Sequence, residues 1–106
     1  MIDQPIIEDT VRRLLKAAPA GSEVILFGSY ARGDAREGSD LDFLVVEPQV
    51  ADRRHEMVRL RQALRGMLVG VDVLVASRDM FDQWKETPNN ALHEAWKEGR
   101  VYREVG

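Results

Sequence analysis

The chain has 106 residues, no cysteine and a net charge of −3 at neutral pH. We expect one domain over residues 1–106, with a modest core and no second lobe. The lack of cysteine excludes redox control through thiols, and the acidic balance argues against stable nucleic-acid binding. No apolar run approaches the roughly 18 residues of a membrane span and no signal-peptide pattern opens the chain, so we expect a cytoplasmic protein with no membrane partner.

The first predicted element is an amphipathic helix from about Pro5 to Ala18. Its apolar residues recur at helical spacing and form one face (Ile7, Val11, Leu14, Leu15 and Ala18). Pro19 and Gly21 then end the helix. The apolar face predicts that this helix covers a sheet.

A candidate phosphate site follows the first predicted strand. Residues 24–27 are a continuous apolar run, typical of a buried strand, and Gly28 ends it. A glycine here lets a bulky anion approach the backbone, and Ser29 adds a hydroxyl group. The next amides open a short helix whose N-terminus favours phosphate. On its own, a Gly-Ser pair is a weak signal.

Two aspartates open the second predicted strand, over residues 40–46, after a polar loop at residues 33–39. Because successive strand residues point to opposite faces, Asp40 and Asp42 share a face and lie about 7 Å apart at the backbone. Such a pair can bind a hard cation, and Mg²⁺ is the obvious candidate because it prefers oxygen ligands. A lone D-x-D is more often a solvated turn or a helix cap. The strand, glycine turn and short helix that precede it favour a site.

A third acid stands in the next predicted strand. Residues 51–68 predict a helix, and residues 71–76 predict an apolar strand with Asp72 at its second position. An unpaired aspartate in a buried strand costs on the order of several kcal/mol. Asp72 therefore marks either a solvated strand end or a site.

Chain connectivity predicts where these residues meet. A strand, helix, strand unit normally gives parallel strands, which would bring Asp40, Asp42 and Asp72 to one end of the sheet. If the first strand runs antiparallel to the second, Gly28 and Ser29 reach the same end.

The C-terminal part predicts three short elements. A helical turn is expected over residues 80–84, and a helix is expected to begin at Thr87-Pro88 and to end at Gly99. Residues 100–103 could add a short edge strand.

The spacing of Gly28, Ser29, ten residues, Asp40 and Asp42 resembles the signature of the minimal nucleotidyltransferases of the DNA polymerase beta superfamily. Asp72 stands where that family has its third acid. The resemblance covers nearly the whole chain. It implies an α/β (α+β) protein with the polymerase-beta-like nucleotidyltransferase fold, in which helices pack mainly on one face of a mixed sheet.

The resemblance also implies a metal-dependent mechanism. In that superfamily the acids bind two Mg²⁺ ions, which clamp a nucleoside triphosphate and activate an acceptor hydroxyl for attack on the α-phosphorus. Asp40 and Asp42 would be shared ligands, and Asp72 would hold the metal on the acceptor side. These three residues are the predicted metal ligands and catalytic residues.

The same resemblance implies a nucleotide site for ATP as co-substrate. Gly28 and Ser29 would hold the β- and γ-phosphates. Arg32 is a further candidate for nucleotide binding, although an arginine in a short exposed helix is as often structural.

Small stand-alone members of this superfamily resemble the antitoxins of bacterial toxin–antitoxin pairs, which transfer AMP from ATP to a tyrosine of a HEPN ribonuclease toxin. The resemblance therefore implies an AMPylating protein adenylyltransferase that forms a hetero-oligomer with a cognate HEPN-type toxin. Two alternatives stay open at this stage. One is a nucleotidyltransferase for a small molecule, such as an aminoglycoside, or for an RNA end, and the other is a non-catalytic antitoxin that acts by occlusion.

Overall fold

The computed structural model describes residues 1–104, which form five helices and four strands. The helices are α1 (Gln4–Ala17), α2 (Ser29–Arg32), α3 (Arg53–Gln62), α4 (Arg78–Trp84) and α5 (Ala91–Glu98). The strands are β1 (Glu23–Phe27), β2 (Leu41–Glu47), β3 (Val71–Ser77) and β4 (Arg100–Arg103). Within the same range, no helix has the length and apolar character needed to cross a membrane.

The strands form one mixed sheet in the order β3-β2-β1-β4. β2 and β3 are parallel, whereas β1 is antiparallel to both β2 and β4. The predicted parallel pair is therefore confirmed, the first strand has the antiparallel direction that would bring Gly28 and Ser29 to the acids, and residues 100–103 do form an edge strand. The C-terminal end of β1 and the N-terminal ends of β2 and β3 lie together at one end of the sheet.

Helices cover both faces of this sheet. On one face, side chains of the first three strands pack with α1 and α3 (Val24, Leu26, Phe43, Val45, Val73 and Val75 with Val11, Leu14 and Leu60). On the other face, a second core joins the strands to α4 and α5 (Ile25, Phe27, Leu44, Val46 and Ala76 with Phe81, Leu92 and Ala95). The α/β class and the mixed sheet are as predicted, but the helices are not concentrated on one face. The reason is that β1 is buried along its whole length, so both of its faces need cover.

The helix before β3 is shorter than the predicted range 51–68. It begins after Asp52, whose side chain accepts a hydrogen bond from the His55 amide at 3.1 Å. It ends at Gln62, and the chain then turns through Gly66 at φ +90°, a left-handed conformation that cannot continue an α-helix.

Helix α5 begins at Ala91 rather than at the predicted Thr87-Pro88. Asn90 caps it, since its side-chain oxygen accepts from the His93 amide at 3.0 Å. The preceding residue, Asn89, has φ +68°, which interrupts any helix that would start at Thr87. Asn is as favourable a helix cap as Thr, and the left-handed conformation of Asn89 means that the helix starts after Asn90.

Candidate active site

Asp42 and Asp72 lie side by side at the end of the sheet where β2 and β3 begin. They are register partners in this parallel pair, so their side chains point to the same face. Adjacent strands are about 4.8 Å apart, which places the two carboxylates next to each other. Asp42 is half-buried and Asp72 is exposed, so the pair opens to solvent on the side of Asp72.

The glycine turn packs directly against Asp42. Gly28 follows β1, and Phe27, the last residue of that strand, is the register partner of Asp42. Gly28 has φ +77°, and a Cβ added to it would overlap the Asp42 carboxylate. Glycine is therefore required here both for the backbone conformation and for the close approach of the acid. The predicted meeting of the glycine turn and the acids at one end of the sheet is confirmed.

Backbone amides of the turn are available to a ligand. The Gly28 carbonyl accepts from the amides of Ala31 at 3.1 Å and Arg32 at 3.0 Å, which closes the single turn of α2. Within the described part of the chain, the amides of Ser29 and Tyr30 donate to no backbone carbonyl. Two adjacent free amides at a helix start are suited to an anionic oxygen.

Asp40 takes a different position from the other two acids. It precedes β2 by one residue, and its carboxylate lies over Gly70, where an added Cβ would overlap it. The Leu41 amide donates to the Gly70 carbonyl at 2.9 Å, which fixes this approach. The need for glycine at position 70 was missed from the sequence, because it depends on which residue β2 places opposite.

Strand register brings Asp42 and Asp72 side by side, whereas the Asp40 carboxylate lies over Gly70. Among residues 1–104, no group of three His, Cys, Asp or Glu side chains is arranged to hold a metal ion. Asp42 and Asp72 nevertheless supply a pair of oxygen donors on one face. Mg²⁺ is commonly held by one or two carboxylates together with water and substrate phosphates, so this pair fits that ion.

Asp42 lies among several negative charges. Burial raises the pKa of Asp42, and the nearby charges of Asp72, Glu94 and Asp40 raise it further, while Arg32 lowers it. Several negative groups thus surround one half-buried carboxylate, and a single side-chain cation opposes them. A divalent cation bound beside Asp42 would relieve this repulsion.

Arg32 is held by carboxylates from two elements. Its Nη1 donates to Glu94 Oε1 at 2.7 Å and lies 3.5 Å from Glu98 Oε2. Its Nε donates to Asp34 Oδ2 at 3.3 Å, and this hydrogen bond is the main reason that the pKa of Arg32 is raised. Glu94 was not singled out from the sequence. The one available signal was the spacing of Glu94 and Glu98, which puts both on one side of a helix.

The fold and the site together define a class of α/β domain in which a glycine turn and paired carboxylates meet at one end of a mixed sheet. Residues 6–103 match the model of the nucleotidyltransferase domain family. The chain therefore belongs to the nucleotidyltransferase domain family.

Two solved structures share the fold. One is a protein from Sulfolobus solfataricus, provisionally described as a nucleotidyltransferase, with a TM-score of 0.62 and 24% identity over 91% of this chain and 75% of that chain. The other is a toxin–antitoxin structure with AMP-PNP, with a TM-score of 0.57 and 21% identity over 92% of this chain and 73% of that chain. The comparison with curated proteins gives no significant match. At these identities the likeness establishes the fold.

Proposed function

We propose that this nucleotidyltransferase-family protein is a Mg²⁺-dependent protein adenylyltransferase that acts as an antitoxin. It would transfer AMP from ATP to a tyrosine of a cognate HEPN-type ribonuclease toxin. The observation that carries the catalytic part of this proposal is the Asp42–Asp72 pair packed against the Gly28 turn. In that arrangement the proposed metal ligands would lie beside the backbone amides of Ser29 and Tyr30.

The carboxylates would hold the metal and orient the reacting groups. Asp42 is the central ligand, because it contacts the glycine turn and has Asp72 beside it. Asp40 completes the set if its side chain leaves its position over Gly70 when the metal binds. When bound, Mg²⁺ would stabilise charge on the attacking and leaving oxygens of the displacement.

The glycine turn would bind the triphosphate. The free amides of Ser29 and Tyr30 would donate to phosphate oxygens, and Gly28 leaves room for them. Arg32 would add a guanidinium contact from the side of α5.

The acceptor oxygen would attack the α-phosphorus, while the bond from this phosphorus to the oxygen bridging to the β-phosphate breaks and pyrophosphate leaves. A tyrosine hydroxyl has a pKa near 10 and must lose its proton as it attacks. Asp72 is exposed beside Asp42 and is placed to accept that proton.

The choice of a toxin as acceptor rests on the fold comparison. One of the structures that share this fold is a toxin–antitoxin structure with AMP-PNP. An ATP analogue and a protein partner in that structure are the two components that the proposed reaction needs.

Incubation of the protein with Mg²⁺, ATP labelled at the α-phosphate and the HEPN-type protein encoded beside it tests the proposal. We expect label on a tyrosine of the partner, and its loss in Asp42→Asn and Asp72→Asn. Asp79→Asn is the matched control, because Asp79 is an exposed acid on α4. If the protein transferred label from none of the four nucleoside triphosphates, the enzymatic proposal would be refuted. Neutralisation of the toxin by the Asp42→Asn protein would instead favour occlusion.

A further inference from the structure

Arg32 connects the nucleotide side of the site to helix α5. It is the last residue of α2, the single turn that follows the proposed phosphate site. Its shortest contact outside that turn is with Glu94 at 2.7 Å, in the first turn of α5. The Arg32 side chain is 39% exposed, so the guanidinium is fixed by these contacts and still accessible to a ligand.

The contacts of Arg32 leave part of its guanidinium free. Asp34 engages Nε and Glu94 engages Nη1. In the described range 1–104, Nη2 has no hydrogen-bond partner. A planar guanidinium held on one side presents its remaining donors in a fixed direction, which is the geometry that recognition of a phosphate requires.

We infer that Glu94 is a positioning residue, which holds Arg32 in place for a nucleotide phosphate. This inference rests on the proposed function. It assigns the Arg32–Glu94 pair a role in binding ATP, beyond that of joining α2 to α5.

The test is the equilibrium affinity of the full chain for ATP with Mg²⁺, measured by calorimetry at a temperature where every variant is folded. We expect Glu94→Gln to weaken ATP binding about 10-fold and Arg32→Ala to weaken it at least as much. In the Arg32→Ala background, Glu94→Gln should add less than a twofold loss, because Glu94 acts through Arg32. Glu94→Asp, which retains the charge on a shorter side chain, should recover part of the affinity.

Two further measurements separate positioning from a structural role. The loss of affinity should be similar for ATP and for inorganic tripolyphosphate, which has no base or sugar, because Arg32 is proposed to bind the phosphates. A general disturbance of α5 would not be specific to phosphate binding. Asp9→Asn is the matched control, since it breaks a helix-surface pair with Arg12 and Arg13 on α1 and should leave ATP affinity unchanged.

The outcomes separate failure of the role of Glu94 from failure of the proposed nucleotidyltransferase function. Unchanged ATP affinity in Glu94→Gln, or the same loss in both backgrounds, would overturn the role of Glu94 while the nucleotidyltransferase proposal stands. If Glu94→Gln does not fold, the test uses Glu94→Asp and Arg32→Ala instead. The two variants are then compared by how much each weakens ATP binding. A wild-type protein that binds no nucleoside triphosphate would refute the proposed function itself, and with it this inference.

Discussion

Glu47, at the C-terminal end of β2, is hydrogen-bonded to Glu56 of α3, at the opposite end of the sheet from the candidate site. The Glu47 side chain is 2% exposed, and one of its oxygens has no donor among the described residues. Burial first, and then the neighbouring Glu56, raises the pKa of Glu47 to about 8. The pair is therefore a neutral carboxylic acid that donates to a carboxylate, which Arg59 binds at 2.7 Å.

We predict that Glu47 makes stability fall as the pH rises above the acidic range. The folded state keeps its proton up to pH about 8, whereas the unfolded chain releases it near 4.5. The stabilisation is thus fully present below pH 4.5 and is lost between 4.5 and 8.

Glu56 gives stability the opposite dependence on pH, at acidic pH. The hydrogen bond from Arg59, followed by that with Glu47, lowers the pKa of Glu56 to about 2. Its contribution is present above pH 4.5 and is lost as the pH falls towards 2. The pair as a whole therefore stabilises the fold most near pH 4.5.

Glu47→Gln checks this pH dependence, because an amide can donate to Glu56 and cannot ionise. We expect its melting temperature to exceed that of the wild type at pH 8 by on the order of 5 °C, and to differ little at pH 5. Glu86→Gln, at an exposed position, is the control. Parallel melting curves for Glu47→Gln and the wild type across this range would contradict the assignment.

The contact between Gly28 and Asp42 predicts that Gly28→Ala loses more activity than backbone strain alone would cause. Gly28→Ala places a Cβ where the Asp42 carboxylate lies and also strains a backbone at φ +77°. Gly66→Ala is a matched control, because its φ is +90° and an added Cβ meets nothing within 4 Å. Both variants should lose about 1–3 kcal/mol from backbone strain.

Only Gly28→Ala should also displace Asp42, and so lose Mg²⁺-dependent ATP binding and transfer. Calorimetry and the label-transfer assay, run beside thermal melts, separate the two effects. Equal activity of Gly28→Ala and Gly66→Ala would show that the close approach of Asp42 is not needed.

The sequence predicts those parts of the site that depend on residues near one another in the chain, and not those that depend on packing between distant elements. The strand that carries Asp42 and the one that carries Asp72 follow from local apolar runs, and their parallel pairing follows from the helix between them. Glu94 could not be predicted in the same way. Its place beside Arg32 depends on how α5 packs across the sheet, and the start of α5 was itself misjudged because the left-handed Asn89 is not visible in the sequence pattern.

The distribution of the helices shows the same limit. The continuous apolar run at residues 24–27 indicates a strand buried on both faces, yet it does not say which helices cover each face. The position of Asp40 over Gly70 also requires the register of β2 against β3, which a spacing motif does not contain.

Gly70 predicts a way to test the role of Asp40 without removing its charge. Gly70→Ala introduces a Cβ that overlaps the Asp40 carboxylate. If Asp40 is a metal ligand that must leave Gly70 to bind, Gly70→Ala should retain Mg²⁺-dependent transfer within about threefold of the wild type, while Asp40→Asn should abolish it. A loss of transfer as complete in Gly70→Ala as in Asp40→Asn would show that Asp40 acts from its place over Gly70.

The ion pairs of Glu23 lead to a prediction about stability at the end of the sheet opposite the candidate site. Glu23 is 8% exposed, and it pairs with Arg78 of α4 at 2.5 Å and with Arg103 of β4. Burial raises the pKa of Glu23, but the hydrogen bonds from the two arginines outweigh it and lower the pKa overall. The stabilisation is therefore present above the unfolded pKa of 4.5 and is lost as the pH falls below it.

Glu23→Gln should weaken both ion pairs and release β4, the edge strand that pairs with β1. We expect a loss of about 1–2 kcal/mol at pH 7, below the range for fully buried pairs because both arginines are partly exposed. Chemical denaturation at pH 7 and pH 3.5 measures it, and the difference from the wild type should shrink at the lower pH. Asp9→Asn, which breaks exposed pairs on α1, should cost less than about 0.5 kcal/mol. A Glu23→Gln protein as stable as the wild type at pH 7 would show that these ion pairs do not hold β4 in place.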